Sequence, residues 1–139
     1  MKKNLTIVAL SLLLVGLAAC GGGGKYAEVK SVMEKQVAGM ETFISGLEKA
    51  SSGPEVAAAF SGYADVIKTL APQMKALSEK YPEMKNEKEM PAELKPIMDK
   101  MEELTKRLGA ATMKAAPYLM DPAVQEAQKK FMEAASALR

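Results

Sequence analysis

The chain of 139 residues has no histidine, no tryptophan and a single cysteine. Without histidine, Ser-His and Cys-His catalysis, imidazole ligation of a metal and proton transfer near neutral pH are excluded. One cysteine cannot form a disulfide within the chain, so an exported domain of this size depends on its hydrophobic core. Any chemistry therefore falls to carboxylate, lysine, tyrosine or methionine side chains.

Long apolar stretches are also scarce, since only one occurs. It covers residues 5–19, 15 in all, and follows the basic pair Lys2 and Lys3. A membrane-spanning helix needs about 20 apolar residues, so this run is too short to span. A basic start followed by an apolar run of this length predicts an export signal.

The single cysteine ends this run in the motif Leu17-Ala18-Ala19-Cys20. The motif resembles the lipobox of bacterial lipoproteins. The resemblance implies that the Cys20 thiol is diacylated, that the chain is cut before it, and that the new amino group is usually acylated too. Residues 1–19 are then a signal peptide, and two or more acyl chains anchor the protein stably in a membrane. The alternative is an ordinary secretory signal followed by an incidental cysteine.

Four glycines follow the cysteine, and Gly21 stands where an aspartate retains lipoproteins in the inner membrane of enteric bacteria. The lipoprotein resemblance therefore implies the outer membrane, with the protein facing the periplasm. Residues 20–24 are the lipidated cysteine and its glycine tether, with an r.m.s. reach of roughly 11 Å. The folded domain, residues 25–139, is expected close to the bilayer.

Once the signal is removed, the chain has no excess of positive or negative charge. Lys2 and Lys3 are two of the 19 basic residues, which leaves 17 to balance 17 acidic residues. Nucleic-acid binding needs a basic surface that releases counterions, so we expect no nucleic acid as a partner. The doublets Lys106-Arg107 and Lys129-Lys130 are isolated on helices of mixed charge.

From Lys25 onward, apolar residues recur at spacings of three and four, and no useful length alternates with period two. Predicted helices cover residues 25–50, 54–81, 91–116 and 122–138. Their apolar stripes are Tyr26, Val29, Met33, Val37, Met40, Ile44 and Leu47; Val56, Phe60, Tyr63, Ile67, Leu70, Met74, Leu77 and Tyr81; Leu94, Ile97, Met101, Leu104, Leu108, Ala111 and Ala115, continued by Tyr118; and Val124, Ala127, Phe131, Ala134 and Leu138. Four such segments predict an all-α, four-helix bundle.

The links between these segments predict its topology. Residues 51–53 and 117–121 are short, which favours antiparallel neighbours, whereas residues 82–90 are longer and polar. We therefore expect an antiparallel up-down-up-down bundle, with both termini and segment 82–90 at one end and the short links at the other. Ser52-Gly53-Pro54-Glu55 is typical of a capping box, and Asp121-Pro122 of an N-cap followed by proline.

Three prolines interrupt the helical pattern. Pro72, Pro96 and Pro117 each remove a backbone donor, so we expect kinks or early helix ends near them. The second helix in particular is expected to break at Ala71.

The short-long-short links, the alanine content and the export signal resemble the periplasmic b-type four-helix cytochromes and their haem-free relatives. The likeness is carried by the layout of residues 25–139 and by LEKASSGPEVAAAF at the first turn. In that family a methionine early in the first helix and a histidine late in the last hold the haem iron. Met33 lies near the first place and nothing matches the second, so the resemblance implies the fold without that haem site.

Eleven methionines raise the question of a soft metal, because thioethers suit Cu(I). Met98 and Met101 form an M-x-x-M pair, and Met33 and Met132 lie near paired ends of the first and fourth helices, where two thioethers would hold haem. Most methionines at stripe positions are better explained as adaptable core residues. We therefore expect no resident metal and keep these four as candidates.

The paired glutamates are typical of a solvent-exposed helix surface or polar segment rather than of a cation site. Glu102 and Glu103 precede Lys106 and Arg107 by four residues, the favourable order on a helix, and Glu87-Lys88-Glu89 lies in a polar segment. The four tyrosines are expected to pack at bundle ends with the hydroxyl reaching water.

We therefore expect a non-enzymatic, membrane-anchored envelope lipoprotein without a cofactor that acts through protein contacts or as a structural module. The alternative is a carrier of an apolar ligand, haem or Cu(I) in a methionine-rich bundle.

Overall fold

A computed structural model describes residues 24–85 and 91–137. The described chain contains four α-helices, which are α1 (Ala27–Lys49), α2 (Gly53–Lys80), α3 (Lys95–Ala115) and α4 (Pro122–Ser136). Short 3₁₀ turns occupy Pro82–Lys85, Ala92–Leu94 and Ala116–Tyr118, and there is no strand in these two ranges. The all-α prediction is confirmed for this part of the chain. The signal peptide 1–19, Cys20, Glu87 and Glu89 lie outside it.

Two helix starts were predicted from sequence, and one of them differs in detail. At α4 the Asp121 carboxylate accepts a hydrogen bond from the Ala123 N–H at 2.9 Å, as expected for an N-cap. At α2 Ser52 is the N-cap residue, but its side chain makes no capping bond. Glu55 instead accepts from the N–H and hydroxyl of Ser51, at 2.7 and 3.0 Å. The reciprocal capping box is therefore replaced by a contact one residue upstream.

The predicted break at Ala71 is wrong, because α2 continues through Pro72 to Lys80. Pro72 lies on the exposed side of the helix, while Leu70 and Ala71, the two residues before it, are buried and hold the chain against the core next to the missing donor. Pro96 lies in the first turn of α3, where a backbone N–H would have no partner within the helix, so the proline costs no helical hydrogen bond.

Helices α1 and α2 pack side by side in opposite directions. Lys80 pairs with Glu28 at 2.6 Å near one end. Nearer the other end Gly46 faces Ala59 so closely that an added β-carbon would lie 3.0 Å from the Ala59 Cβ. Residue numbers thus fall on α2 as they rise on α1.

The other extensive helix contacts join α1 to α3 and α2 to α4. Lys100 pairs with Glu41 at 3.0 Å and Arg107 with Glu48 at 2.9 Å, so α1 and α3 run in the same direction. The short link between α1 and α2 joins two helices that contact each other extensively. For α4, however, the main packing partner is α2 rather than the consecutive helix α3.

Packing of α4 on α2 is fixed at two levels. Asp121 lies against Gly53, where an added β-carbon would be 2.2 Å from the Asp121 Oδ2. Ten residues further along each helix, the rings of Tyr63 and Phe131 lie 5.8 Å apart. These two contacts keep the same register, so α2 and α4 run in the same direction.

Among the described residues, the core consists of two apolar clusters. The larger contains an aromatic group in which Phe43 stacks on Tyr63 at 4.9 Å, with Phe60 and Phe131 beside them. The smaller cluster includes Val29, Tyr81 and Leu94. No polar or charged side chain is buried in the described residues. The stripes predicted most of these positions, but they missed Val32, Phe43, Ala64 and Ala71.

Candidate functional site

The described chain begins at Gly24, the last residue of the predicted tether. The carbonyl of Gly24 accepts a hydrogen bond from the Ala27 N–H at 3.1 Å, in the turn that leads into α1. Cys20, the predicted acylation site, lies outside the described residues, four positions before Gly24. No helix in the described ranges has the length and hydropathy needed to cross a bilayer.

Residues 24–28 and 80–83 form what we call the N-terminal end of the bundle. Glu83 accepts hydrogen bonds from the Lys25 ammonium at 2.9 Å and from the Tyr26 hydroxyl at 2.8 Å. The Tyr81 hydroxyl donates to the Lys25 carbonyl at 2.9 Å, and the rings of Tyr26 and Tyr81 lie 5.3 Å apart. These contacts hold the residues directly before α1 against the segment that follows α2.

The electrostatics of this end follow from those contacts. The hydrogen bond from Lys25, with a backbone bond and the Tyr26 hydroxyl, lowers the pKa of Glu83 to about 2. The same carboxylate raises the pKa of Lys25. Beside it, the Glu28 carboxylate raises the pKa of Lys80, whose ammonium lies 5.4 Å from the ring centre of Tyr81. Every ion pair here is in contact with solvent, so its net stabilisation is small.

Residues 50–53 and 113–123 form the opposite end of the bundle. The two short links meet there, because the Tyr118 hydroxyl donates to the Ser51 carbonyl at 2.9 Å and Asp121 lies against Gly53. Met113 and Met120 are 79% and 80% exposed at this end. Neither was predicted as a site residue: their positions outside the apolar stripes indicate exposure, but not what the side chains contact.

Two of the four methionine candidates share a groove. Met98 and Met101 are half-buried and line an open groove of about 670 Å³ along α3, together with Asp99 and Glu102. The structure therefore brings these two thioethers to one surface. Glu102 accepts a hydrogen bond from Lys106 at 2.7 Å, as its spacing predicted.

The other two candidates are not brought together in either core cluster. Met33 packs against the smaller core cluster, whereas Met132 is 69% exposed. Within the described ranges no three His, Cys, Asp or Glu side chains are grouped closely enough to hold a metal ion. Arg107, expected near Glu103, forms its ion pair with Glu48 of α1 instead.

Three of the four tyrosines lie at the ends of the bundle, as expected, and their hydroxyls form hydrogen bonds within the protein. Those of Tyr26, Tyr81 and Tyr118 donate to protein oxygens at the two ends of the bundle. Tyr63 lies within the aromatic group of the core, and burial raises the pKa of its hydroxyl. Three tyrosines thus fasten bundle ends, and the fourth is a core residue.

No protein-family model, no curated protein and no solved structure matches this chain. The class of protein is therefore argued from its own residues and contacts.

Proposed function

We propose that the protein is a non-enzymatic lipoprotein of the bacterial envelope. Acylated Cys20 anchors it in the outer membrane, facing the periplasm, and it acts through protein contacts made at the opposite end of the bundle. The observation that carries the proposal is the exposure of Met113 and Met120 at the end away from the N-terminus. A protein tied to a bilayer at one end is most accessible to partners at the other.

The chemistry of this exposed end suits a protein partner. Large apolar side chains that are exposed near one another favour an interaction surface, and Met113 and Met120 lie at the same end of the bundle. The neighbouring Ala116, Pro117 and Ala123 are also exposed and uncharged. Methionine adapts its shape to the surface it meets, which favours contact with another apolar protein surface.

An up-down-up-down arrangement of the four helices is part of this proposal. The antiparallel contacts of α1 with α2 support it, and so does the meeting of the two short links at one end. With that arrangement, the N-terminus and the segment after α2 belong to the membrane-facing end.

The non-enzymatic class is supported by what the charged groups do. Glu102, Glu126 and Glu48 are engaged in solvent-accessible ion pairs with Lys106, Lys130 and Arg107. Such pairs are typical of a solvated helix surface rather than of a carboxylate held for proton transfer.

The second candidate function is a carrier of Cu(I), favoured by the shared groove of Met98 and Met101. A Cu(I)-dependent rise in melting temperature would support it if Met98→Leu and Met101→Leu abolished that rise. The matched control is Met113→Leu, because Met113 is exposed at a different place on α3. A Soret band in the purified protein would instead indicate haem.

The main proposal is tested by isolating the acylated protein from its own membranes in mild detergent and identifying bound proteins by mass spectrometry. We expect a partner that is lost when Met113 and Met120 are both changed to glutamate. Met132→Glu is the matched control, because it alters an equally exposed methionine on α4. Loss of the partner in the control, or its retention in the double variant, would contradict the proposed surface.

The anchor is tested separately by Cys20→Ser. We expect the variant to leave the membrane fraction, since the acyl chains are attached through this residue in the proposal. A variant that still fractionates with membranes would overturn the lipid anchor while leaving the partner experiment intact.

A further inference from the structure

The close packing of α1 on α2 leaves an open groove on the outer side of this helix pair, which we call the α1/α2 groove. A β-carbon added at Gly39 would lie 2.6 Å from Cγ1 of Val66, so the two helices are held close at this level. The groove has a volume of about 570 Å³, and its floor includes the buried side chains of Phe43, Tyr63 and Leu70.

The exposed walls of the α1/α2 groove are nearly free of charge. Ala38 and Thr42 line it from α1, and Ala58, Gly62 and Thr69 line it from α2. An uncharged strip along both helices is unusual in a chain of which 26% is charged. Depletion of charge is the compositional sign of the centre of a protein–protein interface.

The two charged residues of the groove have opposite signs and lie on opposite sides. Lys35 belongs to α1 and Asp65 to α2, and neither forms an ion pair with another described residue. Lys130 lies near Asp65, but its own ion pair is with Glu126 at 2.9 Å. The rim therefore offers a positive charge on the α1 side and a negative charge on the α2 side. It suits an occupant that carries a negative charge opposite Lys35 and a positive charge opposite Asp65.

We propose that the occupant is a second copy of this chain, packed groove to groove about a two-fold axis parallel to the helices. Such an axis places α1 of each copy opposite α2 of the other, so Lys35 of one faces Asp65 of its partner, twice. Gly39 faces Val66 in the observed register, which puts the two charges about five residues apart along the axis, roughly 7.5 Å. A lysine and an aspartate side chain together span that distance.

The direction of the axis rests on the proposed membrane anchor. A parallel axis puts both N-terminal ends on the same side, so both lipid anchors enter one bilayer. An axis perpendicular to the helices would place the two anchors at opposite ends of the dimer. Confinement to a membrane raises the local concentration of copies and favours their association.

The first experiment uses full-length acylated protein, half of it labelled with ¹⁵N, reconstituted together in phosphatidylcholine vesicles. A carbodiimide couples amines to carboxylates without a spacer, and mass spectrometry distinguishes links between copies by their mixed isotopes. We expect a mixed-isotope link between Lys35 and Asp65. Links found only within one isotope, or no link at these residues, would overturn the proposal.

The second experiment reverses the charges and counts subunits in the same vesicles by single-molecule photobleaching. Lys35→Glu and Asp65→Lys are each expected to weaken the dimer about tenfold, because each places like charges opposite one another twice. Combining them restores the attraction, so the double variant should recover the wild-type dimer fraction. A monomeric wild type would contradict the proposed dimer, and so would a double variant whose dimer fraction is as low as those of the single variants.

These outcomes are distinguishable from failure of the proposed function. Membrane fractionation of the Cys20→Ser variant reports on the anchor, and partner loss in the Met113 and Met120 variants reports on the opposite end. Neither readout depends on Lys35 or Asp65, so the cross-linking and charge-reversal experiments test the dimer independently of the proposed function.

Discussion

At the scale of single residues, Gly39 is the glycine with the least room for a side chain between α1 and α2. An added β-carbon would lie 2.6 Å from Val66 Cγ1, and α1 and α2 would have to separate to admit it. We expect Gly39→Ala to lower the free energy of unfolding by about 1–3 kcal/mol, measured by urea denaturation. Adding Val66→Ala should recover part of that loss.

Gly109 provides the control for this substitution. It also lies within a helix, but nothing lies within 4 Å of an added β-carbon. Gly109→Ala is expected to raise the free energy of unfolding by about 0.5–1 kcal/mol, because alanine loses less backbone entropy on folding. If both alanine variants were stabilised equally, the close approach of α1 and α2 at Gly39 would be refuted.

Glu83 gives a pH-dependent prediction at the same scale. Its pKa is lowered from 4.5 to about 2, chiefly by Lys25, so the folded state binds this proton less readily than the unfolded state. The contribution of Glu83 to stability is therefore complete above pH 4.5 and disappears as the pH falls towards 2. We expect the melting temperatures of wild type and Glu83→Gln to differ modestly at pH 6 and to converge near pH 2.

The matched control for Glu83 is Glu79→Gln, on an exposed part of α2. Glu79 forms no ion pair with the described residues, so its replacement should leave the dependence of melting temperature on pH close to that of the wild type. A Glu83→Gln variant that stayed parallel to the wild type from pH 6 to pH 2 would exclude the Lys25 contact.

Residue burial was largely predictable from the apolar stripes, and the exceptions have a physical cause. Val29, Ile44 and Leu47 were predicted and are buried, whereas Val32 and Phe43 were missed. A single stripe describes a helix with one seam, but α1 packs on both α2 and α3 and so buries a wider face. Exposed Met113 was not predictable as a site, because periodicity says nothing about what an off-stripe residue contacts.

At the scale of elements, α2 contains an avoidable source of instability. Pro72 is exposed in the middle of a continuous helix, and it leaves the Lys68 carbonyl without its helical donor. We expect Pro72→Ala to raise the free energy of unfolding by about 1–3 kcal/mol in thermal and urea denaturation. Pro54→Ala, in the first turn of α2, should change it little, since no helical donor is lost there.

Helix α4 contributes one aromatic side chain to the core. Phe131 lies within 6.2 Å of the ring centres of Phe43, Phe60 and Tyr63. Because Phe131 is only half-buried, we expect Phe131→Ala to cost about 2–4 kcal/mol in urea denaturation, rather less than a fully buried phenylalanine. Met132→Ala, one residue along and 69% exposed, should stay within about 0.5 kcal/mol of wild type.

The choice of helix neighbours was less predictable than the helices themselves. Spacing identifies the apolar face of each helix but not the helix that covers it, and a short link only brings two helix ends together. The packing of α4 on α2 depends on the contact of Asp121 with Gly53 and on the stacking of Phe131. Neither contact has a signal in the local sequence.

At the scale of the whole molecule, the two ends of the bundle differ in chemistry. The N-terminal end is polar, with Lys25, Glu28, Lys80 and Glu83 in ion pairs beside two tyrosine rings. The opposite end exposes large methionines and no comparable group of ion pairs among its described residues. A polar end suits hydrated lipid headgroups, and an apolar end suits a protein partner, so the asymmetry agrees with the proposed anchor at one end and the proposed partner surface at the other.

We predict that the bundle stands upright on the bilayer, with its N-terminal end nearer the lipid than its opposite end. Helix α2 has 28 residues, about 42 Å at 1.5 Å per residue, and the proposed tether from Cys20 reaches roughly 11 Å. In acylated protein on vesicles, a fluorophore attached at Lys80→Cys should transfer energy efficiently to an acceptor in the headgroup layer. One at Met113→Cys should transfer much less, because it lies on the order of 30 Å farther away. Equal transfer from both positions would mean that the bundle lies flat, and both ends would then face the membrane surface alike.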